Sequence, residues 1–93
     1  MMALVRVSLN RKSEEALAQF EAAISKAPEV LEAHLMTGRD DYVLRVAVAD
    51  LPAYERFLKQ RLTRIAAVWQ VESSFMLRQV TARSALPIAL QDE

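Results

Sequence analysis

The sequence predicts an α+β domain in which a unit of strand, helix and strand occurs twice, and three observations carry that prediction. Residues 3–9, 30–37, 42–49 and 68–80 alternate with the period of two that a half-buried strand requires. The stretches that open at Ser13 and Asp50 instead place apolar residues three and four apart, the spacing of a helix resting on a sheet. Gly38, the one glycine in the chain, falls between the second and third strands, where a hairpin turn calls for a positive φ.

The first strand sets Ala3, Val5, Val7 and Leu9 to one side and Leu4, Arg6 and Ser8 to the other. After the polar Asn10, Arg11 and Lys12, the Ser13 hydroxyl is placed to cap a helix whose first turn holds Glu14 and Glu15 at the positive end of the macrodipole. Leu17, Phe20 and Ile24, with Ala16, Ala23 and Ala27 beside them, form its apolar stripe, and the helix should stop before Pro28. In the second strand Leu31, Ala33 and Leu35 share one face and Glu32, His34 and Met36 the other. The third turns Tyr42, Leu44, Val46 and Val48 inward, with Val43, Arg45 and Ala47 outward.

Asp50 is a good N-cap, and Pro52 costs no hydrogen bond in a first helical turn. Tyr54, Leu58, Leu62 and Ile65, with Phe57 adjacent, make the second apolar stripe, and Arg61 and Arg64 sit at its carbonyl end. The fourth strand is expected to bury Trp69, Val71, Phe75 and Leu77 and to leave Gln70, Glu72, Ser74 and Arg78 outside. Residues 82–93, interrupted by Pro87, suit a short edge strand or a tail lying across a neighbour.

Two right-handed crossovers joined by a hairpin give a four-stranded antiparallel sheet, βαββαβ, with both helices on one face: the ferredoxin-like arrangement. Two helices cannot cover the far face, which should carry Leu4, His34, Met36, Val43, Ala47 and Met76. That apolar content predicts a homodimer packed sheet to sheet, a dimeric α/β sandwich.

At 93 residues, with three prolines and one glycine, the whole chain, 1–93, is expected to be one domain. Twelve Lys and Arg balance twelve Asp and Glu, so no excess of positive charge exists to displace counterions from a phosphate backbone, and direct nucleic-acid binding is not expected. The chain has no cysteine, which removes disulfides and thiolate metal sites and fits a reducing cytoplasm. Arg6 arrives too early for a signal-peptide core, and no run approaches the roughly 18 apolar residues of a membrane span. A cytoplasmic protein without a membrane partner is expected.

No cluster of residues announces chemistry. His34 has no Cys or second His to join it on a metal, Asp40 and Asp41 suit the local hydrogen bonding of a turn, and Ser73 and Ser74 lack the glycines of a nucleophile elbow. There is no glycine-rich phosphate loop. Neither metal, cofactor nor catalytic residue is expected.

The stretch from Thr37 to Leu58 carries a resemblance, however. Pro28-Glu29-Val30, Thr37-Gly38, Asp41-Tyr42, Leu44-Arg45-Val46, Asp50, Tyr54 and Phe57-Leu58 stand in the order of a known pattern, which continues through Val71-Glu72-Ser73-Ser74 to Ala85-Leu86-Pro87. In these residues the chain resembles the effector-binding domain, also called the regulation of amino-acid metabolism domain, of the Lrp/AsnC transcription regulators of bacteria and archaea. The resemblance covers essentially the whole chain and implies the same βαββαβ fold. It further implies a domain that binds free amino acids or related effectors in pockets between dimers, commonly within octameric rings, and signals to an N-terminal helix-turn-helix. Because the first strand begins at Ala3, the chain looks like a stand-alone sensor without its own DNA-binding module, one that could mix with a helix-turn-helix-bearing relative.

Carried over by position, the resemblance implies an effector site at Thr37, Gly38, Arg39, Asp40, Asp41 and Tyr42, with Val71, Ser73 and Phe75 from the fourth strand. An effector ammonium would be accepted by Asp40 or Asp41, and its carboxylate would take hydrogen bonds from turn amides, Arg39 or the Ser73 hydroxyl. Arg39 stands at a position often acidic in the family, and Val71 and Ala67 replace a frequent Thr and Gly. The expected function is an oligomeric amino-acid-binding domain in the regulation of transcription or amino-acid metabolism, not an enzyme. The alternative is a small cofactor-free dimeric enzyme of monooxygenase or isomerase type, which dimeric ferredoxin-like sheets also host and which would need His34 with Asp40 or Asp41 in a closed cavity.

Overall fold

The computed structural model describes residues 1–83, so the edge strand or tail expected at the C-terminus lies, from residue 84 on, outside the described residues. Strand β1 (Met2–Leu9), helix α1 (Glu14–Ser25), strands β2 (Val30–Leu35) and β3 (Tyr42–Ala47), helix α2 (Leu51–Phe57) and strand β4 (Val68–Phe75) follow the βαββαβ order. The four strands form one sheet in the order β2-β3-β1-β4, and β1 pairs antiparallel with both β3 and β4. This is the ferredoxin-like arrangement that the doubled unit predicts.

The local signals act as expected. Ser13 Oγ accepts from the Ala16 N–H at 3.2 Å and Asp50 Oδ1 from the Ala53 N–H at 2.9 Å, each satisfying a donor that the first turn leaves unpaired. Gly38 has φ of 104°, a conformation that side chains with a Cβ rarely adopt. One parity of β1 and β3, namely Ala3, Val5, Val7, Leu9, Tyr42, Leu44 and Val46, is buried beneath the helices with Phe20, Ile24, Tyr54, Phe57 and Leu62. The rings of Phe20 and Tyr42 lie 4.4 Å apart and tie α1 to the sheet, while Tyr54 meets Phe75 edge-on at 5.1 Å and ties α2 to β4.

Three expectations need correction. The second helix does not continue as α-helix past Phe57 but passes into a π-helical turn, Leu58–Leu62, in which the Thr63 N–H donates to Leu58 O at 2.8 Å. The wider turn brings Phe57 and Leu62, five apart, into the same core. Strand β4 ends at Phe75 rather than Val80, because Ala3↔Phe75 is the last rung that β1 offers; after one further bond, Met76 N–H to Met2 O at 3.0 Å, Leu77 is 98% exposed.

Trp69, expected inside, is 69% exposed. Ser8 pairs with Gln70 and Leu9 with Val68, so Trp69 is the extra residue of a β-bulge and is released from the inward parity. Leu31 is the corresponding extra residue in β2, between the rungs Val30↔Val46 and Glu32↔Arg45.

Candidate functional site

The bulge and the hairpin turn lie at the same end of the sheet, and a cleft of about 520 Å³ opens between them. Its walls come from the end of β1 and the residues after it (Ser8, Leu9, Asn10, Lys12), from the turn (Arg39, Asp40) and from the start of β4 (Trp69, Gln70, Glu72). Ser8, Gln70 and Glu72 have the parity opposite to the buried one, so the cleft belongs to the face that the helices leave uncovered.

Adjacent in sequence, Asp40 and Asp41 take different positions. Asp41 is only 6% exposed; its Oδ2 accepts from the Leu9 N–H at 2.7 Å and its Oδ1 lies 3.4 Å from Lys12 Nζ. Its backbone N–H donates to Val7 O at 3.0 Å and its carbonyl accepts from Met36 N–H at 2.9 Å. Asp41 therefore fastens the turn to the end of β1, next to the bulge. Asp40 remains partly open, with Ser8 Oγ at 3.5 Å and Arg6 Nε at 3.8 Å from its carboxylate.

Arg6 Nη2 donates to Glu72 Oε2 at 2.9 Å, so one guanidinium stands between two acids on the open face. Further across, Glu32 meets Arg45 at 3.3 Å and His34 at 3.4 Å. The bond from His34, with the charge of Arg45, holds the Glu32 carboxyl below its usual range. The uncovered face is thus crossed by ion pairs between its apolar residues, a correction to the apolar face that Leu4, His34, Met36, Val43, Ala47 and Met76 predict. Alternation places Arg6, Glu32, Arg45 and Glu72 on that face as well, but only the strand order shows that they pair there.

Of the nine residues at the implied effector site, Arg39 and Asp40 line the cleft. Thr37 and Gly38 complete the same exposed turn, and Asp41 braces it from inside. Tyr42, Val71, Ser73 and Phe75 have the opposite parity, on the side of the sheet where the helices lie: Tyr42 is buried and donates to Glu21 Oε2, Val71 is half-buried and pairs with Val7, Ser73 is exposed and shares a hydrogen bond with the Tyr54 hydroxyl, and Phe75, expected inside, is 39% exposed at the edge of Tyr54. Burial, reinforced by the bond to Glu21, pushes the Tyr42 phenol well above its ordinary pKa; burial raises that of Tyr54, partly opposed by the Ser73 bond.

Sequence reasoning did not single out Lys12, Ser8 or Trp69 for the site. The signal for Trp69 was a large aromatic within three residues of charged Glu72 and polar Gln70, but only the bulge turns it outward.

His34, 62% exposed on its side chain, hydrogen bonds Glu32 and is not among the residues lining the cleft, so the acid–base set that an enzyme would need is not assembled with Asp40 or Asp41. Among the described residues no three His, Cys, Asp or Glu side chains converge as metal ligands, and no helix is long and apolar enough to cross a membrane.

A four-stranded antiparallel sheet under two helices, with an open cleft at its hairpin turn, defines a ferredoxin-like α+β domain with room for a small ligand. The sequence matches the family described as the Lrp/AsnC ligand binding domain over residues 2–86, and the chain belongs to that family. The Bkd operon transcriptional regulator of Pseudomonas aeruginosa is 46% identical over 88 residues, covering 95% of this chain and 58% of that protein. A transcriptional regulator of Neisseria meningitidis, solved as its complex with L-methionine, superposes with a TM-score of 0.87 at 33% identity over 97% of this chain and 58% of its own. An AsnC family regulator of Agrobacterium tumefaciens gives 0.83 at 34% identity over 96% and 57%. The chain spans between 54% and 62% of the length of the curated relatives it matches. These relatives are named as regulators of transcription.

Proposed function

We propose that this domain is the sensing part of an amino-acid-responsive regulatory system in the cytoplasm, and that its effector lodges in the cleft beside Gly38. The observation that carries this reading is the coincidence of the turn with an open cleft that presents both charges, Arg39 and Asp40, and an exposed indole on one rim. Arg39 and the amides of Thr37 and Gly38 would donate to the effector carboxylate, Asp40 would face its ammonium, and Trp69 would cover its side chain. Asp41 holds the turn in place; Tyr42, Val71, Ser73 and Phe75 support the cleft from the covered side of the sheet. The methionine bound by the regulator from Neisseria meningitidis supports an amino acid as the effector class.

Two features support self-association: the uncovered face still exposes Leu4, Val43 and Ala47 between its ion pairs, and Met36, Met76 and Leu77 stand at its margins. We take the working form to be a homodimer through this face, with dimers assembling further into an octamer or similar ring, and with a helix-turn-helix-bearing family member as the means of reaching DNA. A ligand bound in a cleft that the assembly completes must stabilise the assembly, by linkage.

Native mass measurement and thermal unfolding, each with and without the twenty amino acids in turn, test this. At least one amino acid is expected to raise the unfolding temperature and to shift the distribution of assemblies. A monomer that responds to none of them in either measurement contradicts the proposal.

A further inference from the structure

The charges around the cleft are not equally available to a ligand. Each acid already has a partner: Glu72 has Arg6 at 2.9 Å, Asp40 has Arg6 at 3.8 Å and Ser8 at 3.5 Å, and Asp41 has the Leu9 N–H and Lys12 while almost fully buried. Arg39, on the same rim, pairs with no acid among the described residues.

A ligand ammonium must therefore compete with Arg6 for Asp40, which yields little when one cation replaces another. A carboxylate meets Arg39 without displacing any existing pair and can be held by two parallel N–H···O bonds. Trp69 adds a large apolar plate that already stands in solvent, so covering it removes apolar surface from water without disturbing the core. The bulge fixes the indole there, because the extra residue is set outside the inward parity of β4.

Building on the effector reading above, we infer that Arg39 and Trp69 determine specificity, and that the cleft selects a carboxylate carried on an apolar body, with the α-amino group contributing little. An amino acid and the α-keto acid of the same side chain should then both be ligands, so that the domain reports on the deaminated as well as the aminated form of a metabolite.

Calorimetric titration of the purified chain tests this with leucine, methionine and phenylalanine, each beside its α-keto acid, and with the matching amine that lacks a carboxylate. The inference expects keto acid and amino acid to bind within about tenfold of one another, and the amine to show no binding. It also expects Arg39→Gln and Trp69→Ala each to weaken both acids by about tenfold or more, with Arg39→Lys partly restoring affinity. Both side chains are exposed, so these variants should keep the fold, which circular dichroism checks.

Amino acids that bind while their keto acids are weaker by more than about tenfold, or an amine that binds, overturn the inference and leave the effector reading standing. Unchanged affinity in Arg39→Gln moves the ligand elsewhere and overturns it as well. Absence of binding by any acid removes both.

Discussion

The two faces of one sheet are built on different physics. Under the helices, Phe20, Tyr42, Leu44 and Val5 are packed with essentially no exposure, and the polar groups there, the Tyr42 and Tyr54 hydroxyls, are each tied to a partner. On the other side Arg6, Glu72, Glu32, Arg45 and His34 form ion pairs that remain wet, and the cleft opens at their end. The covered face stores most of the stability because buried apolar area scales with free energy, whereas exposed ion pairs contribute little. The open face is consequently free to change residue type and to bind, and it is where a regulator can vary its ligand without unfolding.

Substitutions should separate the two faces, and the largest effect is expected at the covered one. Phe20→Ala removes a ring buried against Tyr42 and should cost about 3–5 kcal/mol in chemical denaturation. A loss below about 1 kcal/mol would mean that α1 packs more loosely than its contacts imply.

Asp41→Ala comes next, at roughly 2–3 kcal/mol, because it leaves the Leu9 N–H unsatisfied and frees the turn from β1. The same change at Asp40 should stay within about 1 kcal/mol, since that carboxylate makes only long, partly exposed contacts. Equal losses at the two aspartates would erase the distinction drawn between brace and rim.

Tyr42→Phe should cost about 1 kcal/mol near neutral pH through its bond to Glu21. Its pH profile is more informative. Folding raises the phenol pKa, so the contribution of the protonated form is complete below the unfolded value of about 10 and is lost as pH climbs above it. Unfolding free energy should therefore fall less steeply above that pH in the variant than in the parent protein.

Arg6→Ala, on the open face, is expected to change stability by no more than about 1 kcal/mol, and the effect should shrink further with added salt.

How much of this was legible in the sequence depends on which rule each feature obeys. Ser13, Asp50 and Gly38 are local signals whose chemistry needs no tertiary context, and each has its expected role. The alternation of Ala3, Val5, Val7 and Leu9 likewise identifies the core strand, because one residue type per face is all that burial demands.

Bulges break that template. Trp69 has the spacing of an inward residue, and nothing in a period of two records that Leu9 pairs with Val68 instead. The π-helical turn escapes for a related reason: Leu58 and Leu62 are four apart and read as one α-helical stripe, yet it is Phe57 and Leu62 that share the core. The end of β4 was hidden because a strand's length is set by its partner, here β1, as well as by its own pattern.

In the turn, two identical aspartates gave no sign of which would be buried. Chain direction after Gly38 decides it, by turning Asp41 toward the Leu9 amide and Asp40 toward Arg6. Family pattern placed an effector site here, and the cleft supplies a surface for it, but the strand-four members of that pattern have the opposite parity, where Ser73 bonds Tyr54 of α2 and Phe75 stays part-exposed.

The most direct measurement is an amide and indole chemical-shift map of the isotope-labelled protein titrated with whichever amino acid gives the largest thermal shift. The account predicts that the Gly38 and Arg39 amides and the Trp69 indole N–H move together and saturate at one affinity, while Tyr54 and Ser73 stay put. Shifts centred on Tyr54, Ser73 and Phe75 with a silent Trp69 indole would put the ligand on the covered face and contradict it.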